Sequence, residues 1–122
     1  MLTLLAFLTT SCVPCRPFWE ALADPATRAA LAVGVGVVAI TPSRSTEDER
    51  LVARLAGPGL PVQMSSATWF SYGVLQAGTF LLVSHPAREQ PWEHPAEVLG
   101  AATPATPAEL ATAIARWLNQ AP

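Results

Sequence analysis

"LTLLAFLTTSCVPCRPFWEAL", residues 2–22, holds both cysteines of the chain and the pattern from which the rest of the fold is read. Leu2 to Thr9 is a nearly unbroken apolar run of strand length, the mark of a strand buried on both faces. Ser11 or Cys12 can cap the helix that follows, and Pro14 fits its first turn. Phe18, Trp19 and Leu22 recur at helical spacing. A buried strand therefore runs into a helix, with Cys12 and Cys15 at the junction.

Outward from that junction the same alternation continues. Asp24 is a good N-cap for a helix over Ala26–Leu31, and "VGVGVVAI" over 33–40 is a second buried strand. In "STEDERLVARLA", Ser45 or Thr46 acts as cap, with Asp48 or Glu49 completing a capping box, until Gly57-Pro58-Gly59 ends the helix. Val62–Met64 reads as a short strand, Ala67–Tyr72 as a helical turn, and Thr79–Ser84 as a strong strand with Val98–Ala101 as its short partner. Thr106-Pro107-Ala108-Glu109 is a capping box for a last helix to about Asn119, burying Leu110, Ile114, Trp117 and Leu118. The order predicts an α/β fold with parallel strands first and an antiparallel pair at one edge, in a single domain over residues 1–122.

Composition narrows the function classes. At 122 residues the chain can bury a core without staples, and 51% hydrophobic against 13% charged residues excludes disorder. A net charge of −2 leaves no electrostatic footprint for nucleic acid and no polybasic membrane patch. The apolar start "MLTLLAFLTTSC" has no basic residue ahead of it and is too short to span a bilayer, so it reads as a strand rather than a leader. Because strand pattern begins at residue 2, the expected origin is a longer precursor whose anchor or address lies outside this segment.

Two cysteines are too few for a disulfide scaffold. Cys12, at the mouth of a helix, meets unsatisfied backbone N–H groups and the positive end of the dipole, both of which favour thiolate. Arg16 adds a fixed positive charge within the same turn. Cys15, three residues on, falls on nearly the same face, and Phe18 and Trp19 extend that face inward, which makes Cys15 the more sheltered sulfur. Three other readings stand beside a redox pair: a structural bridge, half of a zinc site completed by His85 and His94, and two inert core cysteines. A bridge over so short a loop removes little chain entropy, and the two histidines are set too widely for usual finger spacing. The strand–C-x-x-C–helix context favours the redox reading.

"FLTTSCVPCRPFWEAL" followed by "YGVLQAGTFLLV" resembles the thioredoxin-like fold, and is most similar to the disulfide reductases of that superfamily involved in cytochrome maturation and methylamine utilisation. The resemblance spans about Leu4–Leu118. It implies a central mixed sheet of four to five strands flanked by helices, and protein thiol–disulfide oxidoreductase activity. In the implied roles Cys12 is the nucleophile and Cys15 the resolving thiol, with Pro14 helping to set the potential. It further implies protein thiol or disulfide substrates, electrons from a partner protein with no bound cofactor or metal, a monomer, and an extracytoplasmic site for the anchored precursor.

The sequence departs from that family at three places. Ser11 replaces the tryptophan before the first cysteine. Ala6 stands where a buried aspartate helps deprotonate the resolving thiol, which leaves water or Glu20 as the base. Gly78 occupies the place of a cis-proline, so the Ala77–Gly78 bond is expected to be trans, with glycine supplying the unusual dihedrals. In the family this loop pairs with an extended substrate, which makes Ala77, Gly78 and Thr79 the docking candidates. The departures at Ala6 and Gly78 also keep open a different class: a thioredoxin-fold metal- or protein-binding chaperone module without turnover. Trp69, Phe70 and Tyr72 read as core or as a substrate-facing lip, and Trp92 as a partner contact or a cap over the sheet.

Overall fold

The structure is a computed structural model and describes residues 1–120. Five strands form one mixed sheet: β1 (Leu2–Phe7), β2 (Gly36–Thr41), β3 (Val62–Met64), β4 (Thr79–Ser84) and β5 (Glu97–Ala102). Their order is β3-β2-β1-β4-β5; β1, β2 and β3 run parallel, and β4 is antiparallel to both β1 and β5. The helices are α1 (Arg16–Ala23), reached through a 3₁₀ turn over Val13–Cys15, then α2 (Pro25–Leu31), α3 (Glu49–Ala56), α4 (Ser66–Ser71) and α5 (Pro107–Gln120). This is the α/β, thioredoxin-like arrangement expected from the sequence, with the full five strands.

Side-chain alternation along the strands divides the core in two. Leu4, Ala6, Leu8, Val37, Ala39, Phe80 and Leu82 face a cluster completed by Phe18, Trp19 and Leu22 of α1 and by residues of α2, α3 and α5. Leu5, Phe7, Val38, Ile40, Leu81 and Val83 face the other side, where Trp69 and Tyr72 of the α4 segment and Trp92 cover them. Phe7 takes both aromatic rings edge-on, Trp69 at 5.3 Å and Tyr72 at 6.2 Å between centroids. Trp92 thus caps the sheet. Phe70 points into solvent, 89% exposed, so the aromatic group divides between core and surface.

The segment between β4 and β5 is stapled by α4. The Tyr72 hydroxyl donates to Pro91 O at 2.6 Å and accepts from Ala96 N at 2.9 Å, while Thr68 Oγ1 donates to Trp92 O at 2.8 Å. Burial pushes the Tyr72 phenol pKa up, outweighing the Ala96 N–H that pulls it down.

Several boundaries differ from the sequence reading for identifiable reasons. β1 ends at Phe7, two residues early, and β2 begins at Gly36 because Gly34, at φ +74°, turns the chain after α2. The cap of α3 is Asp48, not Ser45 or Thr46: its carboxylate accepts from Arg50 N and Leu51 N, while Thr46 N turns back to Ser43 O. At α5, Thr106 Oγ1 accepts from Glu109 N as a capping box requires, but the Glu109 carboxylate reaches Ala105 N, one residue before the box position. Leu118 is half-buried, whereas Leu110, Ile114 and Trp117 are buried as expected.

Gly100 of β5 lies against the indole of Trp117, where an added Cβ would overlap the ring. Gly100→Ala is expected to destabilise the protein by about 1–3 kcal/mol through overpacking, read as a lower urea midpoint at unchanged slope. Tyr72→Phe strips one donor and one acceptor from the staple. It should cost about 1–3 kcal/mol by taking the hydroxyl partner from both Pro91 O and Ala96 N, measured in the same titration.

Candidate functional site at the Cys12–Cys15 pair

Cys12 and Cys15 are joined by a disulfide, with Cα atoms 5.2 Å apart. The local backbone explains the approach. Cys12 is extended (φ −79°, ψ 109°), and the chain then tightens into the 3₁₀ turn, closed by Cys15 N donating to Cys12 O at 3.2 Å. Pro14 suits this turn because its missing N–H has no intrahelical partner to lose. The expected helix cap is realised in position only: Cys12 sits at the N-cap without a side-chain hydrogen bond.

Exposure separates the two cysteines. Cys15 is 0% exposed and lies in the α1-side core cluster, whereas Cys12 is half-buried at the margin of that cluster and Val13, Pro14 and Arg16 around it face solvent. Phe18 and Trp19 are buried beneath, Phe18 packing on Phe80 at 4.9 Å between ring centroids. Arg16 opens α1 and lines a shallow concavity of about 300 Å³ with Thr10, Glu20, Leu51 and Leu55. Glu20 points outward there, so it is not an inward-facing base for Cys15. Ala6 is 0% exposed between Ala39 and Phe80, on the cluster side that holds Cys15, and presents only a methyl group there.

The loop over 77–79 meets the same end of β1. The Ala77–Gly78 bond is trans, and Gly78 takes φ +87°, a region an L side chain rarely enters. Gly78 N donates to Phe7 O at 2.7 Å, which fixes the loop against the end of β1. A Cβ at Gly78 would meet no atom within 4 Å, so the space beside it is open. Ala77 packs at the margin of the cluster that holds Cys15, and Thr79 opens β4 with its hydroxyl donating to Gln76 O at 2.7 Å.

No protein-family model matches this chain, and no curated protein matches it significantly. What the site can do therefore follows from its own geometry.

The histidines play no part at the sulfurs. His85 follows the last residue of β4, the strand whose first residue pairs with Phe7, so it lies a whole strand away, on the order of 20 Å at ~3.3 Å per residue. It is buried: Nε2 meets Thr3 Oγ1 at 2.7 Å, and Nδ1 meets the carbonyls of Pro86 and Glu89, both at 3.0 Å. Carbonyls only accept, which assigns the proton to Nδ1 in the neutral ring and makes Nε2 the acceptor of the Thr3 hydroxyl. His94 is exposed. Among the described residues no group of three or more His, Cys, Asp or Glu side chains is gathered to hold a metal ion, and no helix is long and apolar enough to cross a membrane.

Glu47 is the site residue that sequence reasoning missed. It is 9% exposed, and its two carboxylate oxygens accept from Thr10 N at 3.2 Å and Thr10 Oγ1 at 2.5 Å. In "STEDER" it reads as one of three acids in an exposed first helical turn. The one available signal was positional: once Asp48 is the cap, Glu47 falls outside the helix.

After reduction, iodoacetamide is expected to modify Cys12 at least about tenfold faster than Cys15, because reaction requires an accessible thiolate. Peptide mapping of singly labelled protein reads the ratio; equal labelling would contradict the burial difference.

Proposed function

We propose that the protein is a thiol–disulfide oxidoreductase of the thioredoxin-like type, with Cys12 as nucleophile and Cys15 as resolving thiol. The observation that supports it is the asymmetry of the pair. One sulfur is at a solvent-facing helix mouth, and its neighbour is sealed in the core within bonding distance of it.

A purely structural bridge accounts less well for that asymmetry. By the chain-entropy relation a loop of four residues contributes about 2 kcal/mol. The same segment is already held by Trp19 Nε1 donating to Thr9 O at 3.1 Å, by the Thr10–Glu47 bonds, and by burial of Phe18, Trp19 and Leu22. Burying those three side chains is worth roughly 1.5–3 kcal/mol each. The bridge contributes less than the packing of those three side chains together.

The exchange proceeds in two displacements. The Cys12 thiolate attacks one sulfur of a substrate disulfide, forming a mixed disulfide and releasing the other substrate sulfur as thiolate. The Cys15 thiolate then attacks Cys12 Sγ, releases the second substrate thiolate and leaves the Cys12–Cys15 disulfide. Two electrons pass to the substrate, and a dithiol partner protein restores the pair; in reverse the same steps oxidise a dithiol. An extended substrate would lie along Ala77. The Gly78 amide is already given to Phe7 O, so its pairing groups on this loop are those of Ala77 and the Gly78 carbonyl.

The competing class is a thioredoxin-fold module that holds a protein or metal without turnover. The observation favouring it is the apolar burial of Ala6, which leaves Cys15 without a carboxylate from β1.

Cys15→Ser separates the two. Under exchange, the variant incubated with a disulfide substrate accumulates a mixed disulfide at Cys12, seen as a reducible mass shift, while wild type turns over. Labelling of Cys12 should also persist to pH values below the ordinary thiol range, as the helix mouth stabilises the thiolate. No mixed disulfide together with ordinary thiol titration would remove the oxidoreductase reading and leave the binding module.

A further inference from the structure

The end of β1 does not reach Cys12 directly; Leu8 to Ser11 intervene without regular secondary structure. Such a segment would let Cys12 wander relative to Cys15 unless something outside it holds it. Among the described residues Glu47 is the only acidic side chain in the buried set, and both of its oxygens are spent on Thr10. Thr10 is two residues ahead of Cys12, so their Cα atoms lie within about 7 Å of each other even at full extension.

Glu47 is itself delivered by a fixed turn. Its N–H and that of Thr46 both donate to Ser43 O, at 3.1 and 3.0 Å, and Ser43 N donates to Ser66 Oγ of α4 at 2.9 Å. Asp48, next in sequence, caps α3. The carboxylate therefore arrives from a base anchored to two helices, and it holds the residue that follows the last main-chain holds of this run, Leu8 N on Ile40 O and Thr9 O on the Trp19 indole. A carboxylate accepting from a backbone N–H and a hydroxyl at once restrains both the position and the orientation of that residue.

We infer that Glu47 is a positioning residue for thiol–disulfide exchange: by clamping Thr10 it keeps Cys12 at the distance and direction from which Cys15 can reach its sulfur. The inference rests on the exchange reading above. The clamp acts as preorganisation. Loosening it lowers the effective concentration of one sulfur at the other, which slows resolution and weakens the intramolecular disulfide against external thiols.

The test is the equilibrium of each variant with the glutathione thiol–disulfide couple, together with the single-turnover rate of resolution of a preformed mixed disulfide at Cys12. Glu47→Ala is expected to shift the equilibrium toward the dithiol and to slow resolution by about tenfold. Glu47→Gln should restore both to within about threefold of wild type, since its Oε1 still accepts from Thr10 N and its amide can donate to Thr10 Oγ1. Thr10→Val, which keeps the N–H bond and loses the hydroxyl, should fall between, and it keeps the test decisive if Glu47→Ala does not fold. A merely structural Glu47 would lower thermal stability equally in both redox states and leave equilibrium and rate unchanged in folded variants. That result, in a wild type that exchanges disulfides, overturns the inference alone. A wild type that fails to exchange overturns the functional reading instead.

Discussion

The end of β1 is the fixed point from which the cysteine pair is built. Four consecutive residues there give a backbone group to four different parts of the fold. Phe7 O accepts from Gly78 N, Leu8 N donates to Ile40 O, Thr9 O accepts from the Trp19 indole, and Thr10 N donates to Glu47. Each partner is set by its own packing: Ile40 and Trp19 in the core, Glu47 before a capped helix, Gly78 by a glycine-only dihedral. A strand buried on both faces has nowhere to shift, because a one-residue slip would turn its whole inward set outward. The disulfide turn is therefore mounted on a firmly held end of the sheet, although Val13 and Pro14 within it are exposed.

The electrostatic help available to Cys12 is narrower than a helix mouth suggests in general. Pro14 has no N–H, Cys15 N is given to Cys12 O, and Arg16 N is given to Val13 O. The unspent donor at the tip is Val13 N. Arg16 is exposed, so its attraction is screened by water and salt. What this tip offers a thiolate is one amide and a partly screened charge, and under the proposed exchange geometry has to supply the rest. That weighting makes the hold on Thr10 matter more than it would beside a fully open helix terminus.

Much of the fold was legible in the sequence because two periodicities dominate it. The apolar runs 2–9 and 79–84 read as buried strands, the first of which ends at Phe7, and Phe18, Trp19 and Leu22 read as the helix face that covers them. The exchange of buried and exposed roles between Cys12 and Cys15 followed from the same spacing. What failed was whatever depended on contacts across the sequence. Asp48, rather than Ser45 or Thr46, caps α3 because a turn on Ser43 consumes the earlier residues. Likewise, no local pattern says that Glu47 meets Thr10, 37 residues away, or that His85 is enclosed by Thr3 and two carbonyls. Side-chain hydrogen bonds between distant segments leave no periodic trace, and the positioning part of the site is made of them.

Ala6 and Glu47 are best understood together. A carboxylate at position 6 would project into the cluster containing Phe18 and Phe80, whose rings are 4.9 Å apart, and would have to be desolvated among apolar neighbours. With alanine there, the cluster beneath the cysteines closes as pure hydrocarbon around Cys15. The buried acid of this region instead stands in a loop, where a backbone amide and a hydroxyl replace the water it loses. Its reach ends at Thr10, two residues from half-buried Cys12 rather than at the sheltered Cys15. An acid so placed acts on where Cys12 is held.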